Sequence, residues 1–261
     1  MELHQIRDRN KLAAYFQQDL PLHTYSLGDL DDLTWPWTTY YAEEKGKELS
    51  RVTLLYQGED PPVLLVLGPE THFRKDYYRS LFPLLPRQFY THLSPNLEQL
   101  FEHDFEITDH GKHYKMNLVD RSALGEAVPG ICQRLQACHL AALENLYQQS
   151  YPANTFNPRM LVTERYYGCW FEGVLVSVAG VHVHSTRYRV AALGNITTHP
   201  GYRKQGFARI VTSHLCRVLL EETDTISLNV KIDNTAAISL YRSLGFQFSA
   251  KYGEFYLKRR F

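Results

Sequence analysis

A chain of 261 residues whose 28 Lys and Arg are matched by 28 Asp and Glu carries no formal charge. That balance gives no general attraction for nucleic acid or an acidic membrane, while 44% hydrophobic residues suffice for a globular core. The cysteines Cys132, Cys138, Cys169 and Cys216 include no C-x-x-C pair, which argues for free buried thiols and against a metal or redox motif.

The opening MELHQIRDRN is charged, without the apolar core of a signal peptide, and no apolar run reaches membrane-spanning length, so a cytoplasmic protein is expected. Asp8 to Leu20 reads as a helix stopped by Pro21. Leu54–Tyr56 and Val63–Leu67 read as strands around the turn GEDPP. THFRKDYYRSLFPLL has helical spacing up to Pro86, and RQFYTHL alternates like a strand. SPNLEQLFEH reads as a helix capped by Ser94 with Pro95 in its first turn. DFEIT and HYKMNLV read as a hairpin around Asp109 to Gly111. Trp35 and Trp37 are expected in the core.

A junction near Asp120 divides the chain into domains 1–120 and 121–261. The second begins with ICQRLQACHLAALENLYQQS, read as one long helix that separates Cys132 and Cys138 onto different faces. YPANTFNPRML is a loop leading to a short helix. Two strands meet at the turn Glu172-Gly173, and YRVAALGNITT is a third. After the turn HPGYRKQGFA comes a helix, Phe207 to Leu220. TISLNV is a strand, NTAAISLYRSLGF a helix capped by Asn234 and ended by Gly245, and FSAKYGEFYLKR a closing hairpin.

The turn before the helix at Phe207 carries the chemistry. A helix start presents unpaired amides and partial positive charge. Gly206 lets a ligand approach bare backbone, Ala208 is small, and Arg203 and Lys204 add full charges. These features suit a phosphate or pyrophosphate. The stretch is neither GxxxxGK[ST] nor GxGxxG, so neither a nucleoside triphosphatase loop nor a dinucleotide fold is supported.

RKQGFA, Arg203 to Ala208, resembles the [RQ]xxGx[GA] acyl-coenzyme A signature of the GNAT family of N-acetyltransferases. LNVKIDNTAAISLYRSLGF, Leu228 to Phe246, is similar to that family's second block of strand, Asn, Leu-Tyr helix and Leu-Gly-Phe. The resemblance covers 121–261. It implies an α+β fold with a mixed central sheet, two of whose strands splay, flanked by helices. The first half resembles the degenerate acetyltransferase-like half of glycine N-acyltransferase-like proteins, a smaller α+β domain.

The resemblance further implies acetyl-CoA as acyl donor, its pantetheine arm lying between Ala191–Thr198 and Thr225–Val230. Backbone at Ile196, Thr197 and Thr198 would pair with that arm, and the amides of Arg203, Lys204, Gln205, Gly206, Phe207 and Ala208 would hold the pyrophosphate. Tyr241 would protonate the leaving thiolate, and Asn234 would cap its helix and touch the pantetheine. The family's acidic base has no counterpart: Ala192 stands near its place, and no acidic residue lies between Gly173 and Glu221. His182, His184, His199 or a water held by Asn195 remain as candidate bases. Asn154, Phe156, Asn157 and Arg159 stand where the family's acceptor loop lies, and Arg159 could read a carboxylate.

The expected activity is therefore acetyl transfer to a primary amine of a small molecule or amino acid by direct attack, in a monomer or homodimer with no nucleic-acid or membrane partner. Acetylation of a protein N-terminus or lysine, or a non-catalytic coenzyme A-binding sensor, are the alternatives.

Overall fold

The computed structural model describes residues 3–69, 74–128 and 130–260. They fall into two compact units, one of residues 1–115, 231–233 and 249–261, the other of 116–230 and 234–248. Among the described residues no helix is long and apolar enough to cross a membrane.

In the first unit, β1 (Leu3–Ile6), β2 (Thr38–Lys45), β3 (Glu48–Tyr56), β4 (Val63–Val66) and β5 (Gln88–Leu93) stand side by side in that order. β5 is followed across the sheet by β12 (Phe246–Arg259), and β12 by β6 (Phe105–Leu118). β4 and β5 run parallel, joined through α3 (Lys75–Leu81); β1, β2, β3 and β4 are antiparallel neighbours. Aromatic residues dominate one core, where Tyr77, Tyr78 and Phe82 of the α3 region meet Phe89, Phe101 and Phe105. The Tyr77 hydroxyl donates to Thr53 Oγ1 at 3.0 Å, so its burial leaves no orphaned polar atom. Glu43 is buried too, held by Arg51 and Arg74.

Several expected elements take another form here. Pro21 does not end a helix. α1 (Arg9–Phe16) gives way to a 3-10 turn, and α2 (Leu20–Gly28) carries Pro21 in its first turn, where no amide is needed. Ser94 caps nothing, because its hydroxyl accepts from the Gly68 amide and donates to the Gly68 carbonyl, each at 3.0 Å. Asn96 then turns left-handed at φ 69°, leaving only a 3-10 turn over Leu97–Leu100. The expected hairpin at Asp109–Gly111 is one continuous strand, β6. Gly111 at φ +99° absorbs the irregularity, its amide on Asp109 Oδ1 at 2.7 Å. β12 is likewise continuous, because Gly253 pairs with Leu93 and lies under the Phe255 ring. Trp35 is half-buried, with the guanidinium groups of Arg7 and Arg9 against its ring, and Trp37 is exposed, so neither is core. The helical stretch expected from Thr71 is helical over Lys75–Leu81; residues 71–73 lie outside the described residues.

The second unit orders its strands β11 (Thr225–Lys231), β10 (Val190–Thr198), β9 (Val174–Ser185), β8 (Tyr167–Phe171) and β7 (Cys132–Arg134). Only β10 and β11 are parallel. α4 (Leu140–Ser150) packs on β9 and β10, α5 (Phe207–Leu220) on β8, β9 and β10, and α6 (Thr235–Ser243) follows β11. Glu172 and Gly173, at φ 49° and 77°, form the tight turn between β8 and β9. The expected helix from Ile131 starts only at Leu140. Cys132–Arg134 instead pair with Tyr167–Cys169 as a strand, and Leu135 donates its amide to Tyr166. Long-range pairing thus overrides a local helical pattern. In consequence Cys132 is half-buried on a strand and Cys138 is exposed, whereas Cys169 and Cys216 are buried.

Candidate functional site

β10 and β11 pair from Val190↔Thr225 to Leu193↔Leu228, and their register ends there. Both strands continue, β10 to Thr198 and β11 to Lys231, so they part over their last residues. A bulge at the same point on β10 shifts its register against β9 between Gly194 and Thr197. Asn195 occupies the bulge at φ 53°, a conformation Asn tolerates better than most residues. Ile196 and Thr197 are half-buried and Thr198 is buried. An opening between parallel strands, edged by main-chain groups, fits an extended amide-bearing arm by strand addition.

The turn at the C-terminal end of β10 leads directly into α5. The first hydrogen bond of that helix runs from the Ile210 amide to the Gly206 carbonyl at 3.0 Å; among the described residues no backbone bond engages the amides of Lys204 to Arg209. Gly206 is the cap at φ 87°, and a Cβ placed there would meet open space. Lys204 is exposed and also left-handed, at φ 62°. The result is a concave set of main-chain donors at a helix start, the arrangement that receives phosphate. Arg203 departs from its expected part. Its guanidinium bonds the Thr198 carbonyl at 3.2 Å and the Ser150 carbonyl at 3.4 Å, bracing the turn against α4. Gln205 reaches the Gly201 carbonyl at 3.4 Å. Phe207 and Ala208 are half-buried, with the Phe207 ring 5.9 Å from Phe171.

Tyr241 lies on α6, buried, with its ring 5.9 Å from Phe246. Burial pushes its phenol well above the ordinary value, with Tyr151 and Cys216 adding to the effect. The hydroxyl is therefore protonated at neutral pH. Asn234 caps α6, its Oδ1 accepting from the Ala237 amide at 3.1 Å.

The candidate bases are scattered. His184 lies opposite Ala191, at the paired end of β10. At about 3.3 Å per residue that is roughly 16 Å from Ile196. Its Nε2 stands 3.1 Å from Glu222, which Arg165 also holds, so His184 belongs to an ion-pair group away from the opening. His182 sits at an irregularity in the β9–β10 register, its ring over Gly194, where any Cβ would collide with it. His199 accepts the Gly201 amide on Nδ1 at 3.1 Å and faces Gln149 Oε1 through Nε2 at 2.7 Å. Those partners fix a tautomer with the proton on Nε2.

The Asn195 side chain ties down the loop after α4. Its Nδ2 donates to the Tyr166 hydroxyl at 3.0 Å, and its Oδ1 accepts from the Thr155 amide at 3.3 Å. The Asn195 carbonyl accepts from the Tyr147 hydroxyl at 2.9 Å. Tyr166 itself donates to the Val181 carbonyl, 3.2 Å away. Within the loop Asn154 and Asn157 cap their own turns, accepting from the amides of Phe156 and Arg159 at 2.8 and 3.0 Å. Phe156 packs between Tyr147 and Tyr166. Arg159 is exposed. Of the expected acceptor residues, Phe156 and Arg159 therefore keep side chains that are not engaged in capping.

The sequence reading missed Tyr147, Ser150, Tyr166 and Ser177. Ser150 bonds Thr197 Oγ1 at 3.1 Å and Ser177 bonds Thr198 Oγ1 at 2.7 Å, fixing the strand at the opening. Nothing in their spacing marks them, because each acts across the sheet on residues far along the chain.

Residues 131–246 match the model of the Acetyltransferase (GNAT) family. The [Ribosomal protein bS18]-alanine N-acetyltransferase of Escherichia coli K12 is 44% identical over 57 residues, 22% of this chain and 38% of that protein. The chain thus spans well under half the length of the curated relatives it matches. A GNAT-family acetyltransferase from Colwellia psychrerythraea superposes with a TM-score of 0.60 at 16% identity, over 99% of this chain and 100% of that one. A Drosophila protein gives 0.71 at 13% identity, over 98% of each. A tandem GNAT protein from the clavulanic acid biosynthesis pathway gives 0.59 at 13%, also over 98% of each. The fold is the GNAT fold, and residues 131–246 are the stretch that resembles the family's acetyltransferases.

Proposed function

We propose that this chain, with its GNAT acetyltransferase domain, transfers acetyl from acetyl-CoA to a primary amine of a small molecule or amino acid. The observation that carries the reading is the parting of β10 and β11 beyond Leu193 and Leu228, directly before a turn whose amides are unengaged. The residues fit the donor: the opening suits its arm, and Gly206 leaves room for its pyrophosphate over the amides of 204–208. Acetyl-CoA supplies a thioester that an amine attacks directly, with no acyl-enzyme formed. Tyr241 holds a proton for the departing sulfur, Asn234 fixes the helix that carries it, and backbone of Ile196, Thr197 and Thr198 orients the donor. His182 is the histidine best placed to accept the amine proton, through water. Arg159 and Phe156 form the acceptor side.

We also assign the first half, 1–120, as a degenerate copy of the second. Its parallel pair, β4 and β5, is bonded to its end, and the Ser94 amide continues onto the Val66 carbonyl. Beyond that, Ser94 Oγ and Gly68 exchange two further hydrogen bonds, so no room is left for an inserted arm. The likeness to a tandem GNAT protein over 98% of the chain supports this arrangement.

A second reading, acetylation of a protein N-terminus, is favoured by the bS18-alanine N-acetyltransferase match. Calorimetry with acetyl-CoA, followed by thiol release over a panel of amines, amino acids and Ala-starting peptides, decides among these. Turnover confined to peptides selects the second reading. Binding without thiol release for any acceptor selects a non-catalytic coenzyme A sensor.

A further inference from the structure

Cys132 and Cys169 are direct partners in the antiparallel pair of β7 and β8, and their sulfur atoms lie 3.2 Å apart. We propose that these two thiols form a reversible disulfide, a redox-dependent clasp between the edge strand β7 and the sheet. Directly opposed residues of an antiparallel pair have Cα atoms about 4.5–5.5 Å apart, within the span a disulfide bridges. Closing the bond from 3.2 Å needs side-chain rotation of about an ångström and no backbone rearrangement.

The two thiols are unequal in a way that orders the steps. Cys132 is half-buried, and Cys169 is wholly buried. The hydrogen bond from Cys169 and the charge of Arg217 hold the Cys132 thiol below the ordinary range, against the opposing effect of burial. The same hydrogen bond, together with burial, pushes Cys169 up. The Cys132 thiolate attacks a low-molecular-weight disulfide, whose S–S bond breaks and releases one thiolate. That thiolate takes the Cys169 proton. The Cys169 thiolate then attacks the Cys132 sulfur, breaking the mixed disulfide and releasing the second small thiolate, which takes from solvent the proton that Cys132 gave up. Two protein thiols are oxidised and one small disulfide is reduced to two thiols.

Without the bond β7 is a three-residue edge strand, the kind that frays first. Two residues beyond Cys169, the Phe171 ring packs 5.8 Å from Tyr202 and 5.9 Å from Phe207, on either side of the turn at 203–206. The clasp therefore lies on the strand that supports the proposed donor site, although its formation does not depend on that assignment.

The full-length native protein is equilibrated in graded mixtures of reduced and oxidised glutathione. It is then acid-quenched, unfolded, alkylated and mapped by mass spectrometry. The expected result is a peptide pair linked through Cys132 and Cys169, with both thiols lost together and recovered by dithiothreitol. Cys138→Ser should link as the parent does, and Cys132→Ser should leave Cys169 as a free thiol at every mixture. The proposal is overturned if both thiols stay alkylatable in the most oxidising mixture. It is equally overturned if Cys132 ends joined to glutathione or to Cys138.

Discussion

The Asn195 side-chain amide holds the Tyr166 hydroxyl at 3.0 Å while the same residue bulges β10 in a left-handed conformation. One residue thus shapes the strand opening and anchors the loop over it. Tyr166→Phe removes three hydrogen-bonding relations of a buried hydroxyl, to Asn195, Val181 and Met160. A loss of about 1–3 kcal/mol is expected in urea unfolding, with acceptor KM rising more than acetyl-CoA KM. Asn195→Gly keeps the backbone conformation and loses only the side chain, whereas Asn195→Ala adds strain of roughly 1–2 kcal/mol. Equal stability of those two variants would show that the bulge relaxes.

Gly206→Ala is compatible with the open space above the cap but not with φ 87°. Forcing a Cβ into that conformation should cost about 1 kcal/mol of stability, and acetyl-CoA affinity should fall by roughly tenfold as the amides move. Gly206→Asp should bind far more weakly, because a carboxylate would face the donor's phosphates. Titration calorimetry reads both; undiminished affinity in the Asp variant places the phosphates elsewhere.

Tyr241→Phe should lower kcat about 100-fold or more with little change in acetyl-CoA KM, the range for loss of a proton donor. Burial holds the phenol above its ordinary value, so full transfer to a thiolate would be uphill, and the proposed role is a hydrogen bond to the leaving sulfur from a phenol that stays protonated. Rates measured between pH 6 and 9 should accordingly show no fall attributable to this tyrosine. A single-turnover rate in the Phe variant equal to the parent's would remove Tyr241 from the reaction.

Asp29 is buried, and burial, with Glu59 adding, raises its carboxyl to about 7. The native state therefore binds a proton that the unfolded chain gives up near pH 4. Stability from this group is full below that pH and is lost as pH rises through 7. Asp29→Asn should raise Tm at pH 8, by an amount worth a few kcal/mol, and flatten the profile of Tm against pH between 4 and 8. A parallel, unflattened profile would show that Asp29 titrates normally.

Much of the second unit was legible because its signals are local. Gly206 and Gly245 mark left-handed positions that end or begin helices, and Asn234 caps α6 as its position before TAAISLYRS predicts. The strand opening was reached only through family resemblance, since the register of Leu193 with Leu228 is a property of two distant segments. Local pattern misled wherever long-range pairing competes with it. Cys132 reads as helical until Cys169 arrives as its partner, and Ser94 reads as a cap until Gly68 claims its hydroxyl. Arg203 was placed at the phosphate by its charge and by its place in the signature, and the carbonyls of Thr198 and Ser150 that hold its guanidinium cannot be seen in its neighbours.

The two hydrogen bonds exchanged by Ser94 and Gly68 bear on stoichiometry. Were both halves, as proposed above, related and each competent to bind, the protein would saturate at two equivalents of donor per polypeptide. Stitched shut at that point, the first half has no vacancy to offer, and a titration with acetyl-CoA should reach its end point at a single equivalent.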